Sequence, residues 1–382
     1  MLGFDFDGVR FPPAAEEART RIRAFLEAEH AAGRIVPHRG TWSTFDAGFT
    51  RRLGEAGFIG VTWPKAYGGQ EASSLVRFVI TEEMLAAGAP CAAHWVADRQ
   101  SGPQILKHGT ERAKQVILPA ICRGECTFGI GMSEPGSGSD LASVRTRATR
   151  IDDGWRIDGQ KIWTTNAHNV TYLIVLARTG EAGPSRHEGL TQFIVKVDSP
   201  GIEVRGIQDM AGNHEFNEVF FDGCFVPDDM MLGEEGSGWD LVTGELAFER
   251  SGPDRFLSDF QLFVALVDKV GPTPGRMSAV EIGRMFSELS ALRRMSTSIA
   301  GMLDEGAQPL VEAAIVKDLG TSFEQALPET ARRLVAEEAD RETGEVYGEA
   351  LAETMLRAPC FSLRGGTREI LRGMIARGIG LR

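Results

Sequence analysis

An α+β fold in three consecutive parts is predicted for this chain of 382 residues. The first part is helical, the middle is an antiparallel β barrel or sandwich, and the last is a helical bundle. Three observations predict it. Apolar residues recur at helical spacing in the first and last parts, whereas the middle is a run of short β-branched and aromatic segments divided by turn signals. The texture changes abruptly near Thr127 and again near Gly238. The composition, 42% hydrophobic and 25% charged, is that of an ordinary globule long enough for two or three domains. The expected parts are residues 1–125, 126–236 and 237–382.

Each element has a local reason. In AAEEARTRIRAFLEAEHAAG, Ile22, Phe25, Leu26 and Glu29 share a helical face, and Gly33 stops it. STFDAGFTRRLGEAG repeats this with Phe45, Phe49 and Leu53, and SSLVRFVITEEMLAAGA and ERAKQVILPAICRG read as further helices. WPKAYGG between them is a loop by its Pro and Gly content. The segments TFGIGM, ATRIDDGWRIDGQKIW, VTYLIVLART, LTQFIVKV, GIEVRGI and NEVFFDGCFV give six to eight antiparallel strands. Asp152-Asp153-Gly154 reads as a hairpin turn and Ile157-Asp158-Gly159 as a bulge. Beyond Gly238, Ile282, Met285, Phe286, Leu289, Leu292, Met295, Ile299 and Leu303 form one long apolar stripe, and LVEAAIVKDLGTSFEQAL and REILRGMIARGI form others.

A net charge of −12 argues against nucleic acid as a partner, because phosphate neutralisation needs clustered Lys and Arg. No apolar run is long enough for a membrane span, and MLGFDFDGVRFPP lacks the basic start and apolar stretch of a secretory leader. Five scattered cysteines, at 91, 122, 126, 224 and 360, fit a reducing cytoplasm better than a disulfide framework. Cys122 and Cys126 share a helix face without a second ligand pair, so no metal is expected.

The stretch GMSEPGSGSDLAS, residues 131–143, is rich in glycine yet matches none of the familiar phosphate or nucleophile motifs. No Lys-Ser/Thr follows its second glycine, Leu141 falls where a dinucleotide fingerprint needs glycine, and no serine stands in G-x-S-x-G. Taken alone, it reads as a hydrophilic turn.

Taken with four other stretches, in order along nearly the whole chain, it resembles the first signature of the acyl-CoA dehydrogenase family. Those stretches are WPKAYGG, GWRIDGQKIWTTNA at 154–167, FNEVFFDGCFVPDDMMLGEEGSGW at 216–239 and RGGTREILRGMIARGIGL at 364–381. The resemblance implies FAD as cofactor, an acyl-CoA substrate and an electron-transfer flavoprotein as acceptor. It implies that a carboxylate removes the thioester α-proton while the flavin takes the β-hydrogen as hydride at N5. Onto the matching positions it carries Met132, Ser133, Gly138, Ser139, Trp163, Thr164, Thr165 and Thr367 as cofactor-binding residues. Ser133 would bond the flavin ring edge, Ser139 the pyrophosphate and the substrate, and Trp163 would cover one ring face with Thr165 near N5. Arg250 is implied as a substrate contact.

The base is the main departure. Gly365 stands where many members carry the glutamate of a Glu-Gly-Thr run, here Gly365-Gly366-Thr367. A second branch places it in a Glu-Arg pair on the first helix of the C-terminal bundle, matched by Glu249-Arg250. Glu249 follows Leu246, Ala247 and Phe248, where desolvation raises a carboxyl pKa, and Pro253 cannot donate to its carbonyl. The alternatives are a surface Glu-Arg pair, with Glu245 and then Glu369 as rival bases. The Arg-x-x-Phe-Gly motif that reaches a neighbouring subunit's flavin is not visible near VGPTPGRMSAV, where Arg276 is the nearest substitute. EEADRETGEVYGEA occupies the place of a Gly-Gly-rich motif. Such losses resemble members acting on bulky acyl groups, including steroid side chains, some of which pair unlike subunits. The resemblance thus implies a homodimer or homotetramer, or else a heteromer. An oxygen-using enzyme of the same fold and a cofactor-poor partner subunit are the competing readings.

Overall fold

The computed structural model describes residues 4, 6–36, 40–181, 185–335 and 345–381; the side chains of residues 245–249 lie outside the described set. Helix α1 (Pro13–Ala31) starts on a proline whose fixed φ suits a first turn, buries Ala15, Ala18, Ile22 and Leu26, and is followed by Gly33 at φ 68°. Side-chain caps begin the next helices: Asp46 accepts the Phe49 N–H at 2.8 Å for α2 (Ala47–Glu55), and Ser73 accepts from Val76 for α3 (Ser74–Ala86). A short α4 (Ala92–Val96) runs through a π-helical turn, Ala97–Ser101, into α5 (Gly102–His108), and Thr110 caps α6 (Glu111–Cys122).

The middle segments form one sheet. Its strands are β1 (Phe128–Gly131), β2 (Arg147–Ile151), β3 (Gly154–Thr165), β4 (Tyr172–Arg178), β5 (Leu190–Lys196), β6 (Ile202–Ile207), β7 (Phe216–Pro227) and β8 (Met231–Leu232). The order is β6-β7-β3-β2-β4-β5-β8, with β1 added on β4. The hairpin at Asp152-Asp153 forms as expected, with Asp153 at φ 60°, and the register shifts between Ile157 and Gly159 where a bulge was expected, with the extra residue on β7, between Phe221 and Cys224. The sheet is mixed where an antiparallel set was expected, since β1 and β2 both pair with β4 in parallel. The reason is the long excursion through residues 131–143, which leaves the β1 edge and returns, so that neither strand is joined to β4 by a hairpin.

The C-terminal part is α7 (Gly238–Arg250), α8 (Phe260–Val270), α9 (Arg276–Asp304), α10 (Leu310–Leu334), α11 (Val346–Arg357) and α12 (Arg368–Gly378). The α9 stripe divides its duties. Met285, Leu292 and Ile299 are buried, whereas Phe286 is 62% exposed and Met277 and Val280 more than half exposed. No helix among the described residues is long and apolar enough to cross a membrane.

The chain separates into two compact units interleaved in sequence: Met1–Thr44, Ala72–Cys91 and Ala247–Arg382 form one, and Phe45–Glu71 with Ala92–Leu246 the other. The first has a core of helix side chains, including Leu85, Phe256, Leu262, Ile299, Phe323 and Leu351. The second is centred on the sheet, around Trp155, Ile157, Leu173, Phe193, Val219 and Phe221. Within the second unit, Gly124 holds φ 68°, and a Cβ there would lie 2.2 Å from the Thr50 carbonyl oxygen. A Gly124→Ala chain is expected to lose about 2 kcal/mol of stability through the left-handed backbone alone, before any clash. A lowered urea midpoint with unchanged slope is the check.

Candidate active site

The site begins with a defect in the sheet. Lys161 pairs with Val219 and Thr164 with Asn217, so β3 spends one residue more than β7 between these pairs. The extra residue turns Trp163 to φ 61°, a conformation costly for a bulky side chain. Its indole is 57% exposed and meets Phe216 only edge-on, with centroids 6.0 Å apart at 82°. A strained backbone that presents a large aromatic face outward implies a flat ligand, because the folded core gains nothing from it.

The loop of residues 132–139 is tied to this bulge. The Ile162 N–H donates to the Ser133 carbonyl at 2.9 Å, and the Lys161 ammonium donates to the Met132 carbonyl at 3.0 Å. Lys161 also meets the Glu134 carboxylate at 2.8 Å. Glu134 accepts the backbone N–H groups of Arg145 and Thr146 at 2.7 and 2.8 Å. Burial alone would raise the Glu134 pKa, but Lys161 and these donors overcome it and hold the carboxyl below its usual value. Burial lowers the Lys161 pKa to about 8 against the pull of Glu134. Further along, Arg178 donates to the carbonyls of Ala142, Val144 and Glu188, and Ser137 donates to that of Asp140.

The structure therefore brings Met132, Ser133, Trp163, Thr164 and Thr165 to one place. Thr164 is buried with its hydroxyl unpartnered, and Thr165 is half-buried. Ser139 and Gly138 lie on the exposed outer part of the loop. A Cβ at Gly136 or Gly138 would meet nothing within 4 Å, and neither has positive φ. Nothing in the chain itself requires glycine at either position, which leaves room for a bound group to approach the main chain. An exposed indole, an orphaned buried hydroxyl and an open glycine loop fit a flavin nucleotide.

The remaining predicted residues, Glu245 excepted, lie in the other unit. Arg250 is buried, and its Nε donates to the Gly365 carbonyl at 2.9 Å with Nη1 3.0 Å from the Met374 sulfur. Gly366 holds φ 97°, and a Cβ there would meet the Arg250 guanidinium at 3.0 Å. Arg250 is thus held by the terminal segment. Thr367 precedes α12 as its N-cap residue. Glu369 is exposed, and a backbone N–H and the Thr367 hydroxyl hold its carboxyl below the usual value. Just before the glycines, Arg364 meets Glu324 at 2.8 Å and lies over the rings of Trp42 and Phe361. Glu249 and Glu245 belong to α7, but their side chains lie outside the described residues, as does most of EEADRETGEVYGEA. Arg276 opens α9. Sequence reasoning missed the Lys161–Glu134 pair and Arg178; a lysine inside a strand of buried residues was the available signal.

Comparison with known proteins follows the same outline. Family models of acyl-CoA dehydrogenases match three times: the N-terminal domain over residues 12–125, the middle domain over 129–224 and the C-terminal domain over 276–380. Acyl-CoA dehydrogenase FadE34 of Mycobacterium tuberculosis is 36% identical over 276 residues, 69% of this chain and 37% of that protein. The chain thus aligns with little more than a third of that relative's length. Among solved structures, one described as Tcur3481-Tcur3483 steroid ACAD superposes with a TM-score of 0.87 at 28% identity, covering 99% of this chain and 100% of that one. The ChsE4-ChsE5 complex of Mycobacterium tuberculosis superposes with a TM-score of 0.81 at 26% identity, covering 98% and 99%. With all three family models matched in order and the fold shared end to end, the chain belongs to the acyl-CoA dehydrogenase family.

Proposed function

We propose that the chain dehydrogenates an acyl-CoA thioester between Cα and Cβ, giving the 2-enoyl-CoA, with FAD as cofactor. The observation that carries this reading is the bulge at Trp163, an outward indole in a strained backbone tied to the glycine loop by Lys161 and Ser133. When bound, FAD supplies a two-electron acceptor for the β-hydride. Trp163 offers it a flat face, Thr164 and Thr165 offer hydroxyls, and Ser139 on the open loop is the donor for the pyrophosphate.

Glu249 is the base in this reading, taking the α-proton as the Cα–H bond breaks. Glu369 is a weaker candidate, since an exposed carboxylate held below its usual pKa is a poor proton acceptor. Arg250, engaged with Gly365 and Met374, holds the end of α7 to the terminal segment and has a positioning role. A bulky, steroid-like acyl group is supported by the likeness to a structure described as a steroid ACAD, and an electron-transfer flavoprotein as acceptor by the family resemblance.

Replacing Ser139 and Thr165 together by alanine is expected to weaken FAD binding at least tenfold, because hydrogen bonds to a charged group contribute about 1.5–3 kcal/mol. Titration of the flavin-free protein with FAD measures it, and unchanged affinity overturns the assignment. A second reading concerns assembly. The structural relatives include a complex of two differently named chains, and α9 exposes Met277 and Val280 on one face of its first turns and Phe286 on another. Self-association through α9, or pairing with an unlike chain, follows. Light scattering that finds a flavin-replete monomer refutes both.

A further inference from the structure

We propose that the buried Lys161–Glu134 pair is a positioning device that governs how tightly the chain holds FAD, by locking the glycine loop to the strand bulge that presents Trp163. It rests on the functional reading above and extends it to residues that need not touch the cofactor.

The geometry is specific. Lys161 is fully buried and is the last residue of β3 to keep register before the bulge. Its ammonium spans two residues of the loop, the Met132 carbonyl at 3.0 Å and the Glu134 carboxylate at 2.8 Å. Glu134 in turn takes two backbone N–H groups, from Arg145 and Thr146, at the far end of the same loop. One ion pair therefore fastens the start of the loop, its end and the strand leading to Trp163. Without Lys161, the Glu134 carboxyl beneath the loop keeps only its backbone N–H donors, and the Met132 carbonyl loses its partner. Two flexible segments would then have to be ordered by the ligand, and that ordering is subtracted from its affinity.

The pair also makes retention sensitive to pH. Among the described residues, Glu134 is the charged group that faces Lys161, and burial brings the Lys161 pKa down to about 8. As pH rises through that value the ammonium loses its proton and the tie to Glu134 weakens. Binding energy for FAD is therefore present below about pH 8 and declines above it. Because Glu134 holds the Lys161 pKa up, removing its charge moves the decline to lower pH.

The test is the dissociation constant of FAD, from fluorescence titration of the full flavin-free chain between about pH 6.5 and 9.5, a window spanning the ordinary perturbation of a buried lysine. The expected results are a decline in affinity near pH 8 for the unaltered chain, an earlier decline for Glu134→Gln, and at least tenfold weaker, pH-flat binding for Lys161→Met. If Lys161→Met does not fold, the first two profiles decide. A purely structural ion pair would lower thermal stability without shifting the pH profile between the first two chains. Unchanged affinity in Lys161→Met, or coincident profiles for the unaltered chain and Glu134→Gln, overturns the proposal while leaving the functional reading intact. A chain that takes up no FAD at any pH overturns both.

Discussion

Glu249→Gln is expected to lower the rate of substrate-dependent flavin reduction by about a thousandfold, within the range a positioned general base contributes. The amide keeps the shape and hydrogen bonding of the carboxyl but cannot accept a proton. The variant should remain yellow and bind acyl-CoA, because the residues assigned to FAD lie on β3, the glycine loop and, for Thr367, the start of α12, none of them in α7. Anaerobic stopped-flow absorbance is the measurement, with exchange of the substrate α-proton for solvent deuterium as the second readout. Both should fail together. Rapid reduction by Glu249→Gln excludes this residue, and Glu245, one turn earlier in α7, is then the residue to replace.

Acidification should cost the protein stability through His94. This histidine lies in α4, only 3% exposed, with Nδ1 3.0 Å from the Thr50 hydroxyl and Nε2 without a partner. Burial lowers its pKa to about 4, although Asp98 pulls the other way. The folded chain therefore binds this proton less readily than the unfolded chain, whose histidine titrates near its ordinary value of about 6.5. Stability is fully present above that value and is lost as pH falls toward 4. The shift corresponds to about 3 kcal/mol at 1.36 kcal/mol per unit. Urea unfolding at neutral pH and near pH 4 should show the unaltered chain losing about that much more than His94→Gln. Equal losses would remove His94 from the account of acid sensitivity.

The sequence was most legible where one residue's chemistry acts locally. Gly33 stops α1, Asp152-Asp153-Gly154 turns a hairpin, and the register shifts at Ile157-Asp158-Gly159, because each depends on neighbours in the chain. The parallel pairing of β1 and β2 with β4 was not legible, since strand direction depends on a loop whose path the alternation of side chains does not encode. The same limit applies to the site. Trp163 and Ser133 were found through motif resemblance, but Lys161 and Glu134 are 27 residues apart, and neither type in isolation indicates burial. Arg250 was named from its place in a Glu-Arg pair, but its bond to the Gly365 carbonyl, 115 residues further on, was not legible in that pair.

The interleaving of the two units dictates an order of events on the ribosome. The sheet-centred unit ends at Leu246, so every partner strand is available before the last third of the chain is made. The helical unit cannot close so early. Its first two segments end at Cys91, and their remaining partners begin at Ala247. The α1–α3 pair, with Arg19 and Arg23 on Glu83, must wait for Arg293 to reach Glu82. At 5–20 residues per second the roughly 200 residues between Cys91 and Arg293 take about 10–40 s. During this interval Leu85, later covered by Phe256, Leu262 and Phe323, has no core to enter. A released chain of residues 1–246 should therefore hold a protease-resistant sheet while α1 and α3 remain sensitive, because assembly begins with the middle of this sequence.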